Sequence, residues 1–183
     1  SRFRRMSGEA RDNSSLDAIV TRIDPRQLDA EDHAIFSRLI ETLDQVERDH
    51  QEYEFNSVLH AIYRFFWSDF CDWYVEVSKA KLRDDSLRET CLAVQDLCLR
   101  QTLLLLHPVT PFITEELWQR LGYAQEGQSI QYVDPGEGTE IVDALAKQGI
   151  SLDSESKSEV SAVRDLVTAL RALKAERGSV DRA

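Results

Sequence analysis

The residues of this chain that could do chemistry are scattered. Asp69 with Asp72, and Glu115 with Glu116, are close enough in sequence for paired-carboxylate acid–base work. Both pairs fall within helical patterns, however, where neighbouring acids form a solvated face, and no catalytic residue is assigned to either. His33, His50, His60 and His107 make no HxxxH pair, and Cys71, Cys91 and Cys98 make no CxxC pair. These spacings give no metal-ligand set, so no metal is expected. No GxxxxGK[ST] or GxGxxG loop is present to cradle a phosphate, and HExxH and GxSxG are absent as well. What remains are arginines near the ends of helical patterns and one aromatic run, "FFWSDFCDWYVEVSKAKL", from Phe65 to Leu82.

The bulk properties narrow the setting. At 183 residues the chain is the size of one domain with an appendage, and it buries enough surface to need no staple. A net charge of −11 argues against a free-standing nucleic-acid binder, which is usually basic, while leaving room for a local basic face. Three cysteines in no framework fit thiols in a reducing cytoplasm. The longest apolar run, Leu103 to Leu106, is far too short for a membrane span, and the first residues have no signal-peptide core. The start reads like a cut made inside a longer chain.

The elements that must position these residues read as helices. From Ala30 to Tyr53, Ile35, Leu39, Leu43 and Val46 form one stripe, with Asp29 as its cap. The aromatic run belongs to a helix from Asn56, its expected cap, to about Leu82. Its seam is Leu59, Ile62, Phe66, Phe70, Trp73 and Val77, with Trp67 and Tyr74 flanking. Lys79, Lys81 and Arg83 fall in its last turn, where cations suit the helix dipole. A third helix, from about Asp85 to His107, places Leu87, Cys91, Val94, Cys98 and Leu105 inward, so its cysteines read as core residues. A fourth opens at Thr110-Pro111 and stops at Gly122. A last helix, from about Ser158 to Arg177, has a stripe of Val163, Leu166, Leu170 and Leu173. Residues 12–28 read as a loop with a short turn. Residues 123–157 show no helical period, with one short strand expected in "SIQYVDPGEG". The division is a helical domain over 1–123, an irregular connector over 124–157 and a C-terminal helix over 158–183. The fold class is all-α, an antiparallel helical bundle with a linked C-terminal helix.

Two motifs carry a resemblance. "FFWSDFCDWYVEVSKAKL" and, one helix later, "LHPVTPFITEELWQRL" resemble segments of the C-terminal helical domain of valyl-tRNA synthetases. The upstream stretch from Leu28 fits in the same order. "SRF" at the start is similar to the end of the family's "NASRF" helix, and "VTALRALKAERGSV" is similar to its "IRNIRAE" helix. The close resemblance covers roughly residues 28–123. Departures occur at His33-Ala34, where the family often has Arg-Trp, and at Ala80-Lys81, where it usually has Pro-Arg.

The resemblance implies the class I aminoacyl-tRNA synthetase anticodon-binding fold and a grip on the anticodon arm of the tRNA for valine. It implies a parent enzyme that loads valine using ATP and Mg²⁺, a catalytic domain of that parent as neighbour, a monomer and a cytoplasmic setting. The "HIGH" and "KMSKS" signatures of that chemistry are absent here, so no cofactor and no catalysis are expected of the fragment alone. Unpaired bases are held by stacking and hydrogen bonds, with Lys and Arg on the backbone. The candidates for RNA contact are therefore Arg2, Phe3, Arg4, Arg5, Arg38, Trp118, Arg120, Arg164, Arg171 and Lys174. The motifs are mainly core motifs, so a helical scaffold or protein-interaction module of the same ancestry is the second reading.

Overall fold

The computed structural model describes residues 15–124, 128–133, 138–152 and 158–169. Its elements are helices: α1 (Leu16–Val20), α2 (Ala30–Gln51), α3 (Phe55–Tyr63), α4 (Val75–Val77), α5 (Arg88–Leu106), α6 (Pro111–Leu121), α7 (Gly138–Lys147) and α8 (158–169). A π-helical segment, Arg64–Tyr74, joins α3 to α4 without a break. Among the described residues there is no strand. The molecule is an all-α helical bundle.

Local chemistry explains where α2 begins. The Asp29 side chain accepts from the Glu31 and Asp32 backbone N–H groups, and Asp32 accepts in return from the Asp29 N–H, forming a capping box. Ile35, Leu39 and Leu43 then point into the core, as their spacing requires. Residues 52–54 turn the chain back. Cross-links between Ser57 and Asp49, Arg64 and Gln45, and Trp73 and Glu31 show that α3 and the π segment run antiparallel to α2. The expected cap at Asn56 is not used, because α3 starts at Phe55 and has no side-chain cap bond.

The aromatic run departs from the expected seam, and the π geometry is the reason. In a π segment N–H groups bond five residues back, so each turn holds more residues than the 3.6 of an α-helix. The Val75 N–H reaches the Phe70 carbonyl in this way. The inward positions become Ala61, Phe65, Phe70, Tyr74 and Ser78, at steps of four and five. Tyr74 is fully buried and Phe65 replaces Phe66 as the deepest phenylalanine, whereas Leu59 and Val77 face water.

α5 runs through the middle of the bundle. Cys91, Val94, Leu97 and Cys98 are all buried, and burial pushes the Cys91 thiol up to about 11. α6 starts on Pro111 and ends at Gly122, whose φ of 80° lets Tyr123 N–H bond the Trp118 carbonyl. Thr110 precedes α6, but its hydroxyl donates back to Leu106 rather than capping.

Two segments read as irregular contribute to the core. Residues 12–28 include α1, and Ile19, Val20 and Ile23 are buried against α5 and α7. The connector 124–157 contains α7, whose Ile141, Ala144 and Leu145 pack on α1 and α2. A Cβ on Gly138 would fall 2.3 Å from Asp44 Oδ1, so glycine is what lets α7 lie this close to α2. The expected strand at Ile130–Tyr132 is one 3₁₀ turn, which Ser129 caps through the Gln131 N–H. These segments escape a sequence reading because their apolar residues are too few to show a period by themselves.

Deleting buried apolar volume in α7 tests its place in the core. Leu145→Ala is expected to cost about 2–5 kcal/mol by urea unfolding. Val142→Ala, on the exposed side, should change stability by less than about 0.5 kcal/mol. Equal small effects would mean that α7 is peripheral.

Candidate nucleic-acid interface

The face formed by α2, the π segment and α8 carries a polar groove. A shallow groove there is lined by Glu31, Ala34, Arg38, Asp69, Trp73 and Arg164. Trp73 Nε1 donates to Glu31 at 2.8 Å. Arg164 of α8 donates to the Asp69 carboxylate and to the Ser68 carbonyl, and its guanidinium lies 5.9 Å from the centre of the Trp73 ring. Burial raises the Glu31 carboxyl above its ordinary value; the Trp73 hydrogen bond opposes this without cancelling it. Ala34 lines the groove as well.

Beneath this face lies a closed ionic cluster. Asp32 is 1% exposed and is held on every side. Tyr74 donates its hydroxyl to one carboxylate oxygen at 2.6 Å, and Lys81 donates to the other at 2.5 Å. Lys81 also reaches Asp29 at 2.7 Å. Burial works to lower the Lys81 pKa, but Asp32 and Asp29 outweigh it and leave it raised. Burial works to raise Asp29, and the Lys81 contacts outweigh it and leave it lowered. Lys81 therefore ties the end of the aromatic run to the start of α2, a structural role in place of the expected helix-dipole complement.

The sequence candidates fall in different places. Arg38 and Arg164 come together on the groove; Arg38 lies 3.4 Å from Glu41. Arg120 is exposed, with its Nε 2.5 Å from Glu116. Trp118 is 1% exposed, so its ring cannot stack on a base. Arg100 lies 5.3 Å above that ring and Tyr123 closes its other contacts. This corrects its candidacy: the Gly122 turn folds Tyr123 back over α6 and seals the edge expected to be open. Arg2, Phe3, Arg4, Arg5, Arg171 and Lys174 lie outside the described residues.

The carboxylate pairs do not assemble. Asp69 serves Arg164, while Asp72 is exposed. Glu115 accepts from Gln119, Ser129 and the Ile130 N–H, which hold its pKa down against desolvation, and Glu116 pairs with Arg120. Among the described residues no group of His, Cys, Asp and Glu could hold a metal ion, and no helix is long and apolar enough to cross a membrane.

Most cations of the described surface sit beside carboxylates. Sequence reasoning missed the exposed aromatics of α3, Phe55 and Tyr63. Their signal was a second stripe of spacing four, ending at Trp67.

The fold defines the class, an all-α bundle with a groove that carries the Arg38–Glu41 and Arg164–Asp69 pairs. Comparison with known proteins gives the family. The family model for the anticodon-binding domain of tRNA ligase matches residues 32–179, and the chain belongs to that family. It is 31% identical over 162 residues to the valine–tRNA ligase of Aquifex aeolicus, covering 81% of this chain and 13% of that protein. It is 37% identical to those of Geobacillus kaustophilus, over 147 residues, and Mycobacterium leprae, over 151 residues. These matches cover 79% and 82% of this chain and 16% of each relative. The chain thus spans about one-sixth or less of the length of these curated relatives. The scaffold reading is not favoured.

The ionic cluster makes a pH-dependent prediction. Asp29 is depressed when folded, so its stabilisation is present above its ordinary value near 3.8 and is lost as pH falls through the folded value. Lys81 is raised, so its stabilisation is complete below 10.5 and is lost as pH rises through the folded value. Lys81→Met should cost about 3–5 kcal/mol at neutral pH, since it strands Asp32 without a cation. It should also flatten both the acid and the alkaline limbs of the Tm–pH profile. A parallel shift of the whole profile would remove Lys81 as their source.

Proposed function

We propose that this chain is the tRNA-gripping part of a valine–tRNA ligase, holding the anticodon arm of the tRNA for valine. The observation that carries this is the family match, which spans the helices walling the groove, together with relatives that are valine–tRNA ligases. The fragment positions RNA and performs no catalysis alone. Valine activation with ATP and Mg²⁺ belongs to the catalytic domain of the parent, a soluble, monomeric cytoplasmic enzyme. Arg2, Arg4 and Arg5, with Phe3 beside them, supply the first phosphate contacts, and Arg38, Arg120, Arg164, Arg171 and Lys174 are the further candidates. An acidic chain needs such a local basic set, because phosphate neutralisation dominates affinity.

The test is fluorescence anisotropy of a labelled valine anticodon stem-loop at about 50 and 200 mM salt, beside a loop with altered anticodon bases. The expected result is discrimination between the loops and affinity that falls steeply with salt. Replacing Arg2, Arg4 and Arg5 by alanine should weaken both loops alike and reduce the salt slope by about one for each phosphate left without its arginine. Equal, salt-insensitive or undetectable binding from a folded sample would restore the scaffold reading.

A further inference from the structure

α3 and the start of the π segment carry an apolar stripe that the bundle does not bury. Phe55, Leu59, Tyr63 and Trp67 recur every fourth residue and are 55%, 38%, 63% and 51% exposed. The inward positions of the same helix are Ala61 and Ile62, so the stripe is a separate face. The rings of Tyr63 and Trp67 lie almost parallel, 8° apart in plane with centroids at 6.5 Å. At the hairpin end, the Phe55 ring meets His50 and Tyr53 edge-on. Tyr53 is 80% exposed and holds a φ of 60°, a left-handed conformation that bulky residues rarely adopt. It closes α2 in a Schellman motif, in which the Tyr53 N–H bonds the His50 carbonyl and the Glu54 N–H bonds the Asp49 carbonyl.

The surroundings of the stripe favour one kind of occupant. Arg64 donates one nitrogen to Gln45, and Gln45 lies three residues before Arg48, so both cations flank the same side of the hairpin. Neither has a carboxylate partner among the described residues, in contrast to Arg22, Arg26, Arg88 and Arg164. Glu52 and Glu54 lie on the turn, which directs a phosphate backbone to the Arg48–Arg64 side. Flat exposed rings beside arginines that lack a carboxylate partner among the described residues suit bases and phosphates.

We infer that this ridge is a stacking platform for unpaired RNA bases, with Tyr63 and Trp67 receiving the bases and Arg48 and Arg64 the phosphates. The inference rests on the tRNA-binding reading above. It locates a contact surface on the α2–α3 hairpin, away from the groove of Arg38 and Arg164.

The test uses the whole 183-residue chain with the valine anticodon stem-loop and a copy whose loop bases are replaced by abasic sites. Trp67→Ala and Tyr63→Ala should each weaken binding of the intact loop by about tenfold, the scale of removing one base stack. Trp67→Phe should keep most of the affinity. The abasic loop should bind wild type and Trp67→Ala equally weakly. Because these side chains are exposed, the variants should keep the wild-type urea midpoint, which is measured alongside. If wild type binds the loop and both alanine variants match it, the ridge assignment fails while the tRNA-binding reading stands. If wild type binds no loop, both fail. If wild type dimerises in sedimentation and Trp67→Ala is a monomer, the ridge is a contact between copies and the RNA assignment is overturned.

Discussion

A single buried carboxylate, Asp32, decides how the bundle is put together. A charge taken out of water is costly unless its lone pairs are filled and a countercharge is present. Asp32 meets both conditions with groups from three places: the Asp29 backbone, the Tyr74 hydroxyl and the Lys81 ammonium. The cap of α2, the end of the π segment and the turn after α4 are therefore fixed to one point. Removing any partner leaves a charge with nowhere to go, which makes the arrangement specific in a way that apolar packing alone is not.

The π segment supplies one partner of the same cluster. Tyr74 reaches Asp32 only if its ring faces inward, and the α-helical seam drawn through Phe66, Phe70, Trp73 and Val77 would turn it aside. Lengthening the turns brings Phe65, Phe70 and Tyr74 onto one line and leaves Trp73 at the rim, where its N–H serves Glu31 and its ring lies beneath Arg164. One change in helical pitch thus shapes both the core and the groove. It also leaves Tyr63 and Trp67 outside, where no described element covers them.

The surface shows how an acidic chain can belong to a family that binds nucleic acid. The basic groups at the groove are held by carboxylates, Arg164 by Asp69 and Arg38 by Glu41. An arginine held in one geometry beside an acid retains its planar donor face but contributes less long-range attraction.

The sequence by itself determined the helices with strong periods and caps. Asp29 with Asp32 fixed the start of α2, Pro111 and Gly122 bracketed α6, and Cys91 and Cys98 fell on the inner stripe of α5. These are local matters of backbone hydrogen bonding and apolar spacing, which neighbouring residues settle among themselves. The family was legible too, through the resemblance of the motifs at Phe65–Leu82 and Leu106–Leu121 to segments of a known family. Only tertiary structure decided the rest. Trp118 was sealed by a residue beyond the Gly122 turn, and Lys81 found its partners 49 and 52 positions earlier in the chain. α1 and α7 became core because larger helices offered them an apolar surface. The π segment set Tyr74 against Asp32, 42 positions earlier in the chain. For Lys81, α1, α7 and Tyr74 the deciding contact joins residues distant in sequence, so no window along the chain contains it; Trp118 is sealed by a near neighbour that only the Gly122 turn folds back.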